Sequence, residues 1–136
     1  MRLGEDEVLS AYNALELSIL EASQSSVKTK HTEILTKSAD FCRELGAGRV
    51  TICKSAKDRT GMSVTLEQGR ILERHHGLPK HRVAPTVSVM RSHGVRIENS
   101  LKNTGKRMYA FNKIQRSLLP EEYRCPVQVG GSGNVS

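Results

Sequence analysis

Residues 48–68 read "GRVTICKSAKDRTGMSVTLEQ", and this stretch decides the fold class. Its first part, "RVTIC" (49–53), is β-branched and bounded by glycine and polar residues, the pattern of a strand, and no other stretch carries it as clearly. From Arg59 to His76 the pattern turns helical, with Met62, Leu66 and Ile71 inward and Gly77 with Pro79 marking the stop. Between the two runs a short polar loop from Cys53 to Arg59. Strand, loop and helix in this order predict an α/β chain, rich in helix, whose chemistry sits where the strand meets the helix.

Upstream, residues 5–21 place Val8, Tyr12, Leu15 and Ile19 at helical spacing, with acids in the first turn where the helix dipole favours them. Residues 23–31 are polar and carry no apolar period, the composition of a loop. A second helix follows, with Thr32 as N-cap, Ile34, Leu35, Phe41, Cys42 and Leu45 as its apolar stripe, and Gly46 as its stop. Downstream, Val83, Val87 and Met90 mark a helix ending near Gly94, with Pro85 placed early in it. "RIENSLKN" and "KRMYAFNKIQRSLLP" read as one or two helices broken near Gly105, with Phe111, Ile114 and Leu118 inward, Tyr109 in the core and Pro120 as a stop. The last residues, "QVGGSGNVS", have the composition of a disordered tail.

The 136 residues suit a single domain with its own core. No run approaches the roughly 20 apolar residues of a membrane-spanning helix. The first residues lack the order of a signal peptide, so the chain is expected in the cytoplasm. Cysteines 42, 53 and 125 show no CxxC spacing, which argues against a disulfide framework and a zinc site. His75, His76, His81 and His93 straddle a Gly-Pro break without a companion ligand, so no metal and no cofactor is expected. A net charge of +7 points to anionic partners. Aromatics make up 4% of the chain and tryptophan is absent, which leaves little for stacking on bases and argues against nucleic acid. Phosphorylated small molecules and anionic membrane remain.

The loop is Cys-x5-Arg. A loop of this length can wrap a tetrahedral oxyanion with backbone N–H groups, here those of Ser55, Ala56 and their neighbours, above a helix N-terminus. The same field lowers the pKa of Cys53 and makes it a nucleophile. Arg59 can hold two phosphoryl oxygens at once, and Thr60 can hydrogen-bond the thiolate when it leaves. Asp58 is the one aspartate inside the loop, and so the candidate proton donor and base; a helix N-cap is its other reading. Lys54 and Lys57 add more charge than one phosphate requires, which suits a polyphosphorylated inositol, although solvated lysines are the plainer reading. The other reading of Cys53, a small buried thiol ending a strand, carries less weight in this context. Asn99, Lys102, Lys106 and Arg107 form either a second basic surface for anionic lipid or a solvated face.

"CKSAKDRT" followed by "MSVTLEQ" resembles the inositol polyphosphate 4-phosphatases, a branch of the Cys-x5-Arg phosphatases. The similarity extends to "EILTKSADFCRELGAGRVTICK" upstream and to "MRSHGVRIENSLKNTGKRMYAFN" and "LLPEEYRCP" downstream, covering residues 31–126. Gly61 extends the motif toward that of bacterial inositol phosphate phosphatase effectors, with Ala56 where those carry glycine. The resemblance implies a phosphatase catalytic region over 31–126, preceded by a helix and linker over 1–30 and followed by the tail 127–136. It implies Cys53 as nucleophile, Arg59 as phosphate ligand, Lys54 and Lys57 as headgroup contacts, and Asp58 as the loop aspartate that myotubularin-like phosphatases share. The implied reaction removes the 4-phosphate of phosphatidylinositol 3,4-bisphosphate through a phosphocysteine, at the periphery of an anionic membrane. Two alternatives stand beside it: a non-catalytic module that binds phosphorylated lipids or partners through the same loop, and an inositol phosphate phosphatase of broader range.

Overall fold

The computed structural model describes residues 4–27, 29–55 and 57–131. Six α-helices are described in order, α1 (Glu5–Gln24), α2 (Glu33–Glu44), α3 (Asp58–His76), α4 (Lys80–His93), α5 (Val95–Thr104) and α6 (Lys113–Ser117), followed by 3-10 turns at Glu121–Tyr123 and Val127–Val129. The chain divides into two compact units, residues 1–50 and 51–136. No described helix is long and apolar enough to cross a membrane.

The α/β expectation is overturned: among the described residues there is no strand, and the one bridge is an isolated parallel pair, Tyr109 with Gly130. Residues 49–53 run without regular structure, leaving Val50 86% and Ile52 77% exposed. The reason is that β-propensity measures how well a side chain fits a paired, half-covered surface. Among the described residues, no backbone–backbone hydrogen bond pairs this segment with another.

In the first unit α1 packs on α2. Glu5, Asp6 and Glu7 fill the first turn of α1, and Glu7 reaches back to the Gly4 N–H at 3.2 Å. The covered line on α1 is Val8, Ala11, Leu15, Ser18 and Ala22, one position round from the expected stripe, so that Tyr12 and Ile19 stay exposed. Small residues at 11, 18 and 22 allow the close approach. Ser18 is fully buried, donates to the Ala14 carbonyl at 3.2 Å and accepts from Lys37. Tyr12 keeps a tilted ring contact with Phe41, centroids 5.8 Å apart. Thr32 makes no side-chain cap on α2; instead His31 bonds both Thr29 and Glu33.

In the second unit α3 packs on α4, and α4 on α5. Gly69 makes the first of these contacts possible: a Cβ there would lie 2.5 Å from Val87 Cγ2. Met62, Ile97, Tyr109, Tyr123, Cys125 and Val129 form the core, with Leu66 and Phe111 against it. Arg91 is buried among them. Its guanidinium donates to the Thr65 hydroxyl at 2.9 Å and to the carbonyls of Met62 (2.8 Å), Glu122 (2.7 Å) and Arg124 (2.8 Å). Burial lowers its pKa.

The helix expected over "KRMYAFNKIQRSLLP" (106–120) shrinks to Lys113–Ser117, leaving Ile114 71% and Leu118 64% exposed. Gly105, at φ 71°, ends α5, and the chain is then held extended from outside. Tyr109 N–H donates to Val129 O at 2.8 Å, Ser100 Oγ to Met108 O at 2.7 Å, and Ala110 N–H to Asp58 at 2.8 Å. Bonds to distant segments have replaced the helical ladder. Of residues 127–136, Val127–Val129 form the last turn with Val129 buried, while 132–136 lie outside the described residues.

Candidate functional site

Lys54 and Ser55 turn the chain toward α3, and Lys57, at φ −128° and ψ −90°, precedes its first residue. The Gly61 N–H donates to the Lys57 carbonyl at 2.8 Å and closes the first turn. This geometry gathers donors on Cys53. The Thr60 hydroxyl, then the N–H groups of Thr60, Lys57 and Ser55, favour the charged sulfur and pull the thiol down to about 6 against the opposing effect of burial. At pH 7 that means a thiolate in about ten-to-one excess.

Thr60 Oγ1 is itself buried and satisfies no strict hydrogen-bond geometry among the described residues. A buried hydroxyl in this condition is suited to a further acceptor, such as an oxyanion brought to the loop. With the helix N-terminus behind it, the ring of donors has the form of an anion cradle.

Of the residues singled out in the sequence, Cys53, Ser55, Lys57 and Thr60 meet around the sulfur. Lys54, Lys57 and Arg59 are exposed, and Arg59 makes no side-chain hydrogen bond or ion pair among the described residues. Ala56 lies outside the described residues. Asp58 is placed differently: it is 6% exposed and both of its oxygens are engaged. Oδ1 accepts from Arg96 Nε at 2.6 Å and pairs with Nη2 at 2.5 Å; Oδ2 accepts the Ala110 N–H at 2.8 Å. Arg96 is the residue that sequence reasoning missed, because nothing local marks a partner 38 positions away. Of the second basic set, Asn99, Lys102 and Lys106 are exposed and Arg107 is paired with Glu98.

The other cysteines are unlike Cys53. Cys125 is fully buried, which pushes its thiol up, and Cys42 is half-buried on α2.

Residues 10–123 match the family described as the INPP4A C-terminal domain. The chain is 49% identical over 122 residues to inositol polyphosphate 4-phosphatase type II of Homo sapiens, covering 90% of this chain and 13% of that one. It is 47% identical over 119 residues to type II inositol 3,4-bisphosphate 4-phosphatase of Rattus norvegicus, covering 88% and 13%. A third relative is the phosphatidylinositol 3,4,5-trisphosphate-dependent Rac exchanger 2 protein of Homo sapiens, 34% identical over 115 residues, covering 75% of this chain and 7% of that one. The chain thus spans 13% of the length of the 4-phosphatases it matches. With 10–123 matched, and with type II inositol polyphosphate 4-phosphatases among its relatives, the chain belongs to the INPP4A C-terminal domain family.

Proposed function

We propose that this chain binds the phosphate groups of phosphorylated inositols and of the lipids that carry them, through the loop from Cys53 to Thr60. The observation that carries this reading is the convergence of the Thr60 hydroxyl and the Thr60, Lys57 and Ser55 N–H groups on one point at the N-terminus of α3. The exposed cations of Lys54, Lys57 and Arg59 supply charge for further phosphates. Phosphorylated inositol is also what the names of the 4-phosphatases and the Rac exchanger have in common, whereas phosphatase activity is named only for the former. Bound to a lipid headgroup, the loop brings the chain to the periphery of an anionic membrane.

A second reading, hydrolysis, is favoured by the thiolate of Cys53. In it the sulfur attacks the 4-phosphate of phosphatidylinositol 3,4-bisphosphate in line, the P–S bond forms and the P–O bond to the ring breaks. The ring oxygen takes up a proton from water. Water then attacks the phosphocysteine, giving phosphate and releasing the thiolate to the loop N–H groups. Asp58, committed to Arg96 and Ala110, is not free to be the proton donor, and this supports binding over turnover.

The two readings separate in one experiment. Vesicles containing phosphatidylinositol 3,4-bisphosphate are expected to capture the native chain and the Cys53→Ser variant alike, and to lose Lys54→Ala/Lys57→Ala. Equal capture by uncharged vesicles would end the binding reading. Phosphate release that depends on Cys53 establishes turnover, and release from soluble inositol phosphates as well widens its range.

A further inference from the structure

Asp58 is the first residue of α3, and its neighbours Lys57 and Thr60 supply three of the four groups that converge on the Cys53 sulfur. What fixes that turn comes from elsewhere in the sequence. Arg96, the second residue of α5, places two guanidinium nitrogens on Asp58 Oδ1, at 2.6 and 2.5 Å. Its stem passes along the same turn: a Cβ built on Gly61 would stand 3.5 Å from Arg96 Cγ and 3.7 Å from its Cβ. The third contact is the Ala110 N–H on Oδ2, at 2.8 Å.

We propose that Arg96 is the positioning residue of the Cys53 loop: held on Asp58 and lying along Gly61, it fixes the first turn of α3 and so aims the Lys57 and Thr60 donors. Two physical effects combine. The two guanidinium nitrogens on Oδ1 and the stem hold the turn against rotation, which a helix end does not do unaided. The guanidinium also neutralises a buried carboxylate that otherwise stands one residue from Lys57 and two from Thr60, opposing any anion in the cradle. Around the sulfur the remaining charges of the loop are the exposed Lys54, Lys57 and Arg59, so Asp58 is the only carboxylate of the loop, and Arg96 is its counterion.

The inference rests on the loop being an anion cradle, but its test does not need a phosphate ligand. In the full chain, iodoacetamide alkylation of the Cys53 peptide is followed by mass spectrometry across pH. The native midpoint is expected near 6. Arg96→Met, which leaves Asp58 without its counterion, is expected to raise it by about one unit or more, a loss of thiolate at pH 6 of about fivefold or more. Arg96→Gln keeps a donor for Oδ1 without the charge and is milder to the fold; it shifts the midpoint in the same direction by less. Arg96→Lys, restoring charge, brings it back toward the native value. A folded Arg96→Met or Arg96→Gln protein whose midpoint equals the native one overturns the proposal. Binding of vanadate to the native chain, measured alongside, reports separately on the phosphate reading: its absence removes that reading and leaves the role of Arg96 to stand or fall on the thiol.

Discussion

The Tyr109 hydroxyl donates to the Arg91 carbonyl at 2.9 Å, so the residue whose guanidinium collects four acceptors also anchors the ring at the centre of the second unit. Burial pushes the Tyr109 phenol up to about 12. Replacing Arg91 by Met leaves the Glu122 and Arg124 carbonyls and the Thr65 hydroxyl without this donor. The expected cost is about 3 kcal/mol of stability, and Arg91→Lys, whose ammonium cannot span the same acceptors, recovers only part of it. Urea unfolding of the three proteins measures both.

Cys53 is expected to alkylate with a rate that rises with pH and levels off above neutrality, its midpoint near 6, while Cys125 stays protected by burial. Thr60→Val removes the largest lowering influence and moves the midpoint up. The sign for stability follows from the depressed folded pKa. The thiolate's contribution is complete above the unfolded thiol value of about 8.5 and is lost as pH falls through about 6. Comparing native and Cys53→Ser melting temperatures between pH 5 and 9 checks that sign; a gap that widens toward acid contradicts it.

Gly69→Ala puts a methyl 2.5 Å from Val87 Cγ2 and 3.3 Å from Val83 Cγ1. Neither valine has a long flexible end to move aside, so α3 and α4 must part. The expected loss is about 1–3 kcal/mol, and Val87→Ala in the same chain recovers part of it by making room. A double-mutant cycle on thermal unfolding reads the coupling directly; additive effects would mean that the helices do not meet as described.

Asp58→Ala strips the partner from the Arg96 guanidinium and from the Ala110 N–H, and is expected to cost about 2–3 kcal/mol. Asp58→Asn retains an acceptor for one of them and costs less. Should the chain turn over phosphomonoesters, a proton donor at this position would matter most for poor leaving groups; a loss shared equally by all substrates assigns Asp58 to holding the turn.

Helices were legible in the sequence where a local pattern decides them. Gly77 at φ 70° ends α3 where the reading put the stop, and Val83, Val87 and Met90 face inward on α4. The strand at 49–53 was not, because its residues satisfy the local rule for a strand while no described segment supplies the pairing. The extended run before α6 escaped for the opposite reason. "MYAFNKIQ" has helical spacing, and bonds to Asp58, Ser100 and Val129, all outside the run, hold its first part out of a helix. At the site, loop spacing pointed to Cys53, Lys57 and Thr60, all set within eight residues. Arg91 and Arg96 look like ordinary surface cations in sequence, since burial and pairing are decided by residues around 30 positions away.

The distances in sequence spanned by Arg91 also order events in time. Two of its acceptors, Glu122 and Arg124, follow it by 31 and 33 residues. During synthesis α3 and α4 therefore leave the ribosome before two of the four groups that satisfy the cation between them exist. The guanidinium stays in water, and the second unit cannot close from its N-terminal side. Release of the residues around 122–129 is the step that lets the charge move inward, so a segment made some 30 residues after Arg91 is the one that turns a pair of helices into a folded unit.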